Sequence, residues 1–166
     1  GSKLTIMAKP KTILVVCTGN LCRSPMAAGL LRHRLASVGL TEEFEVRSAG
    51  TWAVTGSPPA SYASYVMAKW GIDISDHRSK DISATDVAGA ELILVMTQAQ
   101  REAILAEFQE AGPKTYLLSE MIGKNYDIAD PYGSSLAHYE YCAEDLAYII
   151  KAGFEQILRL GGGDSE

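Results

Sequence analysis

Residues 13–25 read ILVVCTGNLCRSP, an apolar run followed by a short polar loop. The run is rich in β-branched residues, which predicts a strand over residues 12–17 that is buried on both faces. A helix is expected to follow, with Ser24 as its N-cap, Pro25 near its first position and Gly39 at its end. The segment is therefore predicted to fold as a strand, a tight loop and a helix.

The rest of the chain continues this alternation. Further strands are predicted over residues 44–48, 92–96 and 115–118, and further helices from after residues 57–59 to about residue 70, over residues 98–108 and over residues 135–160. Strands that alternate with helices pair in parallel through right-handed crossovers, which predicts an α/β three-layer sandwich around a small four-stranded parallel sheet. Ligands of such sheets bind beyond the carboxyl ends of the strands, where Cys17 is expected.

Composition and charge exclude several classes of protein. The chain has 166 residues, of which 47% are hydrophobic and 21% charged, and its formal net charge is -5. These values are typical of one compact globular domain and exclude a disordered or fibrous chain. The negative charge opposes binding to nucleic acid or to anionic membranes. Without a recognisable signal peptide or a membrane-length apolar run, we expect a cytoplasmic protein.

The chain is expected to hold one domain. Residues 1–10 are predicted to be an expression remnant and disordered start, residues 11–160 to form the domain, and residues 161–166 to be a disordered tail. The three cysteines, an odd number, do not suggest a disulfide framework. At least one of the three cysteines is therefore a candidate for a reactive residue.

The loop after the first strand has the composition of an anion-binding nest. Successive backbone N–H groups can turn inward there, and the helix N-terminus adds donors and a positive partial charge. Gly19 and Asn20 are expected to supply unusual backbone angles, and the planar fork of Arg23 suits two oxygens of one phosphate. The loop is therefore predicted to cradle a phosphate-sized oxyanion.

Cys17 is expected at the floor of this positively polarised cradle. A helix N-terminus and a nearby guanidinium favour the reactive thiolate, and the Ser24 hydroxyl can donate a hydrogen bond to it. The sulfur could then attack without a separate base, which suggests a covalent phosphocysteine intermediate.

The chain resembles the low-molecular-weight protein tyrosine phosphatases in several motifs that occur in the family's order. They are VCTGNLCRSP at residues 16–25, RSAGT at 47–51, DHRS at 76–79 and DPYG at 130–133. The resemblance implies a flavodoxin-like, phosphotyrosine phosphatase I-like fold with a cysteine nucleophile, an arginine phosphate clamp and an aspartate general acid. These roles fall on Cys17, Arg23 and Asp130. Phosphate binding, shared with Arg23, falls on Thr18, Gly19, Asn20, Leu21, Cys22 and Ser24.

Asp130 is the predicted general acid because a phenolate leaves poorly unless its oxygen is protonated. Pro131 after it favours an extended backbone and a stiff loop. The alternative is that Asp130 caps a helix beginning at Pro131, but the nearby glycine argues against this. Ser134 or Ser135 is a better cap for the last helix. Asp127 is the second candidate for the acid.

The resemblance also implies supporting roles around the cradle. His77 is expected to be a structural residue rather than a catalyst, and the resemblance implies that it supports Asn20 and Ser24 through hydrogen bonds. Trp52 and Tyr132 are expected to form walls that grip a phenyl ring above the phosphate. The alternative for Trp52 is an anchor of a surface loop.

The two remaining cysteines have different expectations. The resemblance implies that Cys22 forms a reversible disulfide with Cys17, which protects the nucleophile from over-oxidation. The alternative is that Cys22 is a small buried residue at the start of the helix. Cys142 is expected to be a buried hydrophobe without a role.

We therefore predict hydrolysis of protein phosphotyrosine and small aryl phosphates, without metal or cofactor, by a monomer that also binds phosphate, sulfate or vanadate. The alternative is a protein arginine phosphatase of the same family, a branch that shares the Asp-Pro-aromatic-Gly turn but typically carries threonine where this chain has Leu21. More remote alternatives are a redox or ligand-sensing thiol module and a zinc site on Cys17 and Cys22, completed by Cys142 or His77. A thioredoxin-linked arsenate reductase would need a pair of resolving cysteines, which residues 76–100 lack.

Overall fold

The computed structural model describes residues 8–163, in which parallel strands form one sheet with helices on both faces. The strand order is β2-β1-β3-β4, and within the described residues every pairing is parallel. This confirms the predicted α/β class and sheet. In chain order the elements are β1 (Lys11–Cys17), α1 (Arg23–Ser37), β2 (Phe44–Gly50), α2 (Ser61–Lys69), α3 (Ala84–Gly89), β3 (Leu92–Val95), α4 (Gln98–Glu107), a 3-10 helix (Gln109–Lys114), β4 (Thr115–Leu117), a second 3-10 helix (Leu118–Ile122), α5 (Leu136–Ala152) and α6 (Phe154–Leu160).

The core lies in two layers, one on each face of the sheet. Successive residues of a strand point to opposite faces, so Ile13 and Val15 enter one layer while Leu14 and Val16 enter the other. The first layer packs against helices α1, α2, α5 and α6, and the second against α3 and α4. A continuous apolar run is therefore required in β1, because both of its faces are covered.

The central strand β1 has β2 on one side and β3 on the other, so the strand order reverses at β1. Its residue Cys17 pairs with Gly50 of β2, and Val16 pairs with Val95 of β3 on the other side. In doubly wound sheets a crevice forms beyond the carboxyl ends of strands at such a position. The loop after Cys17 therefore opens into this crevice.

The last predicted helix is two helices. The expected helix over residues 135–160 is wrong at Gly153, where α5 ends and α6 begins. A Cβ atom at Gly153 would lie 2.7 Å from Met121 Cβ and 2.8 Å from the Met121 carbonyl oxygen. A glycine is therefore required where the chain passes the second 3-10 helix, and the apolar periodicity of residues 135–160 does not reveal this contact.

The start of α1 also differs from the prediction. Its N-cap position is Cys22 rather than Ser24, and Pro25 is the third residue of the helix. The Ser24 side chain points instead toward the loop that precedes the helix. Helix α2 begins at Ser61, and β2 extends two residues beyond the predicted end to Gly50.

Helix α3 is not predicted by the sequence patterns above, although its start carries a sequence signal. Ser83 accepts a hydrogen bond from the Asp86 backbone N–H, and the Asp86 side chain accepts one from the Ser83 backbone, which makes a capping box. The helix was missed because it has only 6 residues and buries only Val87. Its apolar period is too short to be recognised.

The structure describes only part of the two ends that are predicted to be disordered, namely residues 8–10 and 161–163. Of the predicted tail, Gly161 donates to the Ile157 carbonyl and Gly163 to the Leu158 carbonyl. Residues 1–7 and 164–166 lie outside the described residues, so the predicted disorder of both ends stays a prediction. Within residues 8–163, none of the helices has the length and apolarity needed to cross a membrane.

Candidate active site

The loop between β1 and α1 curls around the sulfur of Cys17. The Asn20 backbone N–H donates to Cys17 Sγ at 3.2 Å, and the Ser24 hydroxyl lies 3.0 Å from the same sulfur. Asn20 has φ of 59°, and it is the only non-glycine residue of the described chain in the left-handed region. Gly19 was expected to share this conformation, but its φ is not positive, so the tight turn depends on Asn20.

The Asn20 side chain joins the loop to two other segments. Its amide Nδ2 donates to the hydroxyls of Ser24 at 2.7 Å and Ser48 at 3.0 Å. Its Oδ1 accepts from the Lys80 backbone N–H at 2.9 Å. Because Asn20 and Ser24 are fully buried, these hydrogen bonds stabilise one conformation of the loop.

His77 lies beneath the same loop. Its Nε2 donates to the Asn20 carbonyl at 2.8 Å, so His77 reaches Ser24 through Asn20. Burial lowers the pKa of the imidazole, and the guanidinium groups of Arg32 and Arg78 lower it further, against the opposing effect of the Asn20 carbonyl. The neutral ring with its proton on Nε2 is therefore the form that fits this position.

Arg23 is a buried cation at the first position of α1. Its Nη1 donates to the Ile128 carbonyl at 2.8 Å, and its Nη2 lies 3.5 Å from Asp130 Oδ2. Asp130 Oδ1 accepts from the Tyr132 backbone N–H at 3.1 Å, which closes a turn after the carboxylate. The arginine therefore joins the loop of residues 128–132 to the loop that follows β1.

Asp127 and Asp130, the two candidates for the general acid, have different surroundings. Asp127 Oδ1 accepts from the Gln98 backbone N–H at 2.9 Å, at the start of α4. Asp127 is therefore engaged at a helix terminus, whereas Asp130 faces Arg23. Helix α5 is capped by Ser135, which accepts from the His138 backbone N–H, so the alternative of Asp130 as a helix cap is wrong.

A cavity of about 490 Å³ opens above the sulfur. Two of its aromatic side chains are exposed, Trp52 at 84% and Tyr132 at 62%. The cavity thus brings together most of the residues singled out in the sequence, while Asn20, Ser24 and His77 lie behind it. It is lined by Cys17, Thr18, Gly19, Leu21, Cys22, Arg23, Trp52, Val54, Ser57, Asp130 and Tyr132.

Cys22 lies beside the cradle as a separate thiol. All three cysteines, each within the described range, are free and buried. Cys22 Sγ lies 3.3 Å from the Tyr139 hydroxyl of α5, and burial raises the pKa of Cys22 to about 11. Burial likewise raises the pKa of Cys142 to about 12, which fits a buried side chain packed in the core.

Several residues at the site were not singled out in the sequence. Gln100 Nε2 donates to the Thr18 hydroxyl at 3.1 Å, while its Oε1 accepts from the backbone N–H groups of Met96 and Thr97. The capping pair Thr97 and Gln100 is a visible sequence signal, but it does not indicate a contact with Thr18. Ser48 lies within the RSAGT motif at residues 47–51, but neither this motif nor the sequence around Lys80 and Tyr139 indicates a contact with the loop.

Known proteins are similar to this chain over most of its length. The family model for low molecular weight phosphotyrosine protein phosphatase matches residues 12–159. A probable low molecular weight protein-tyrosine-phosphatase, EpsP of Ralstonia nicotianae, is 42% identical over 91% of this chain and 99% of its own length. A protein-arginine-phosphatase of Geobacillus stearothermophilus is 38% identical over 85% of this chain and 92% of its own length.

A solved structure has the same fold. The low molecular weight protein tyrosine phosphatase of T. tengcongensis superimposes with a TM-score of 0.83 at 38% identity, covering 87% of this chain and 98% of its own. These matches confirm the predicted family and enzyme class. The chain belongs to the low molecular weight phosphotyrosine protein phosphatase family, whose members are hydrolases with a cysteine nucleophile.

Proposed function

We propose that this chain hydrolyses protein phosphotyrosine and small aryl phosphates through a phosphocysteine on Cys17. The observation that carries the proposal is that one cavity holds the Cys17 sulfur at its floor, Arg23 and Asp130 beside it, and the exposed rings of Trp52 and Tyr132 at its rim. An aryl phosphate matches this arrangement, because its phosphate would lie near Cys17 and Arg23 while its apolar ring would lie between the rings at the rim.

In the first step, Cys17 Sγ attacks phosphorus in line with the leaving oxygen. The S–P bond forms as the P–O bond to the phenol breaks, and the Asp130 carboxyl gives its proton to the phenolic oxygen. The guanidinium of Arg23 and the loop N–H groups neutralise the remaining phosphoryl oxygens. Because the Ile128 carbonyl already orients Arg23, little reorganisation is required in the transition state.

In the second step, water cleaves the phosphocysteine. The Asp130 carboxylate accepts a proton from the attacking water, the O–P bond forms, and the S–P bond breaks to release phosphate and the thiolate. The Ser24 hydroxyl, 3.0 Å from the sulfur, donates a hydrogen bond that stabilises this leaving group. A cysteine-to-serine mutant of the YwlE arginine phosphatase, 29% identical to this chain, carries a phosphorylated active-site serine, which supports the intermediate.

Oxyanion binding in the cradle is supported by another relative. The tyrosine phosphatase Wzb of Escherichia coli K30, 30% identical to this chain, was solved in complex with sulphate. We expect phosphate, sulfate and vanadate to occupy the part of the cavity that is lined by Thr18, Gly19, Leu21, Cys22 and Arg23. Such ions should therefore be competitive inhibitors.

The second candidate substrate is protein phosphoarginine. It is favoured by the 38% identity to the Geobacillus stearothermophilus protein-arginine-phosphatase. The side chain of Leu21 lines the cavity and is larger than the threonine of that branch. A bulkier apolar side chain suits a flat phenyl ring and crowds a guanidinium, so we favour phosphotyrosine.

The first test compares kcat/KM for phosphotyrosine and phosphoarginine peptides of one sequence, in EDTA and reductant, with Cys17→Ser as the blank. We expect a ratio well above one, and Leu21→Thr should move it toward phosphoarginine. A ratio well below one would assign the chain to the arginine branch. Activity on neither peptide would favour the redox or sensing module.

Three variants test the assigned roles separately. Cys17→Ser should abolish turnover, Asp130→Asn should lower kcat by about 10²-fold or more, and Arg23→Ala should impair both KM and kcat. Steady-state kinetics with an aryl phosphate measures all three. Normal turnover by Cys17→Ser would end the proposal.

We also propose where the enzyme acts, that it is a monomer, and how it responds to oxidation. We place it in the cytoplasm, where three free cysteines stay reduced, and we expect a monomer that acts on phosphorylated proteins and not on nucleic acid, which the net charge of -5 disfavours. Oxidation should join Cys17 to Cys22, which lines the same cavity. Mass spectrometry of the peroxide-treated enzyme tests for this disulfide.

A further inference from the structure

The rim of the cavity includes an exposed loop, residues 52–57, which we call the wall loop. It carries Trp52, Val54 and Ser57 into the cavity lining. Trp52 is 84% exposed and Val54 78% exposed, so side-chain packing contributes little to the position of either. The hydrogen bonds of the loop backbone must therefore determine where these side chains lie.

Most of these hydrogen bonds converge on one buried residue, Ser79, which is 1% exposed. Its hydroxyl donates to the Val54 carbonyl and accepts from the Ser57 N–H, the latter at 2.9 Å. Its backbone N–H donates to the Ser57 carbonyl, and its carbonyl accepts from Gly56 N–H, both at 2.8 Å. The wall loop thus closes around a single residue, whose side chain and backbone each make two of the four hydrogen bonds.

The start of the wall loop has two further attachments. Asp81 Oδ1 accepts from the Ala53 N–H at 2.9 Å, and the Trp52 N–H donates to the Thr18 carbonyl at 3.0 Å. Trp52 is therefore held on both sides, by the phosphate loop through its own N–H and by Asp81 through the next residue.

The segment that holds the wall loop also holds the phosphate loop. Lys80, which lies between Ser79 and Asp81, donates its backbone N–H to Asn20 Oδ1. His77, two residues before Ser79, donates to the Asn20 carbonyl. One segment, residues 77–81, thus sets the distance between the oxyanion cradle and the rim. Side chains of this segment that contact only the wall loop can change ring binding without changing oxyanion binding.

We propose that Ser79 and Asp81 are positioning residues that determine specificity for the ring of the substrate, by holding Trp52 and Val54 at the rim. The proposal rests on the proposed function, in which the rim grips an aryl group. Ser79→Ala removes one donor and one acceptor, leaving the Val54 carbonyl and the Ser57 N–H without their partner. The wall loop should then sample several conformations.

The expected kinetic effect is a rise in KM with little change in kcat. The ring is held equally in the ground state and the transition state, so its loss removes uniform binding. Loss of a neutral hydrogen bond corresponds to about threefold to tenfold in KM for a phosphotyrosine peptide. Inhibition by vanadate, which fills the cradle alone, should change by less than about twofold.

The experiment compares Ser79→Ala with Ser83→Ala, a serine-to-alanine control that loses the α3 capping bond but does not touch the wall loop. Both are measured for kcat, KM and vanadate inhibition. In a Trp70→Phe background Trp52 is the single tryptophan, and its time-resolved fluorescence anisotropy reports motion of the wall loop. Ser79→Ala should raise KM and the amplitude of fast Trp52 motion, whereas Ser83→Ala should change neither.

A second pair of variants keeps the test valid if Ser79→Ala does not fold. Asp81 is exposed, so Asp81→Ala should fold, raise KM and loosen Trp52, and Asp81→Asn should restore both because its amide oxygen still accepts from Ala53. Unchanged KM and anisotropy in Ser79→Ala and Asp81→Ala would overturn the inference. Equal losses of peptide and vanadate binding would also overturn it, by assigning both residues to the cradle.

The two proposals fail in different ways. A wild-type enzyme that is inactive on aryl phosphates would contradict the proposed function, whatever the anisotropy shows. A wild-type enzyme that hydrolyses phosphotyrosine, with Trp52 motion and KM insensitive to Ser79 and Asp81, would contradict only the positioning role.

Discussion

The chemical difference between the cysteines arises from their surroundings. Cys22 and Cys142 are removed from water, and burial raises their pKa to about 11 and about 12, so at neutral pH well under about 0.1% of either is thiolate. Cys17 has a backbone N–H and a hydroxyl directed at its sulfur, both of which can stabilise a thiolate. The three thiols should therefore differ in reactivity.

We expect iodoacetamide at pH 7.5 to modify Cys17 first and the other two only after unfolding. Mass spectrometry should find one adduct in the native enzyme and three in urea, and fragmentation of the peptide that holds Cys17 and Cys22 distinguishes these two. Inorganic phosphate should slow the native reaction. Equal labelling of Cys17 and Cys22 in the native enzyme would contradict the assignment.

His77 links the stability of the fold to pH. Its folded-state pKa lies below the ordinary value of about 6.5, so between these two values the unfolded chain binds more protons. Stability therefore rises with pH in this window. The contribution of His77 is fully present above about pH 6.5 and is lost as the pH falls through the folded-state value.

We expect the free energy of unfolding in urea to fall from pH 7.5 to pH 5.5, and to fall less in His77→Gln. The glutamine amide can still donate to Asn20 but cannot take up a proton. His33→Gln, on the exposed surface of α1, controls for the loss of an imidazole. A wild-type slope in His77→Gln would contradict the linkage.

At the scale of elements, the end of β2 is built against the phosphate loop. Gly50 pairs with Cys17, and the N–H of Thr51 donates to the Cys17 carbonyl at 2.9 Å. A Cβ at Gly50 would lie 2.3 Å from the Thr18 carbonyl oxygen, a backbone atom that cannot move away without moving the loop. A glycine is therefore required where the strand passes the cradle.

Gly50→Ala should destabilise the protein by about 1–3 kcal/mol and lower kcat/KM by about 10²-fold. Urea unfolding and aryl phosphate kinetics measure the two effects. Gly89→Ala is the matched control, because a Cβ there meets nothing within 4 Å and alanine favours the helix. Gly50→Ala with wild-type kinetics would show that the loop tolerates the displacement.

The same scale explains which elements were predicted. Strand β1 and helix α1 follow from local patterns, and so does Ser135 as the N-cap of α5. The division between α5 and α6 does not, because its cause is Met121 in another element. A contact between distant segments leaves no periodicity in either one.

At the scale of the molecule, we expect the protein itself to balance the charge of a bound phosphate. The cradle supplies Arg23 and a helix N-terminus, and residues 8–163 contain no cluster of three side chains that could hold a metal ion. We expect EDTA to leave kcat/KM within about twofold and Tm unchanged. Loss of activity in EDTA, restored by added zinc, would favour the alternative of a site on Cys17 and Cys22.

The sequence by itself determined the parts of the protein whose interactions are local. Cys17, Asn20, Arg23 and Ser24 lie within eight residues, so one loop and one helix terminus bring them together. The periodicity of the strands and helices determined the α/β sheet, because a covered parallel strand must be apolar on both faces.

Only the tertiary structure decided how the cradle is supported. The partners of its loop lie far along the chain, with Ser48 separated from Asn20 by 28 residues, Lys80 from Asn20 by 60, Gln100 from Thr18 by 82 and Tyr139 from Cys22 by 117. Each contributes one hydrogen bond, and a single polar residue has no pattern that predicts its partner. The physical reason is that buried polar groups must be satisfied wherever the packed elements place them.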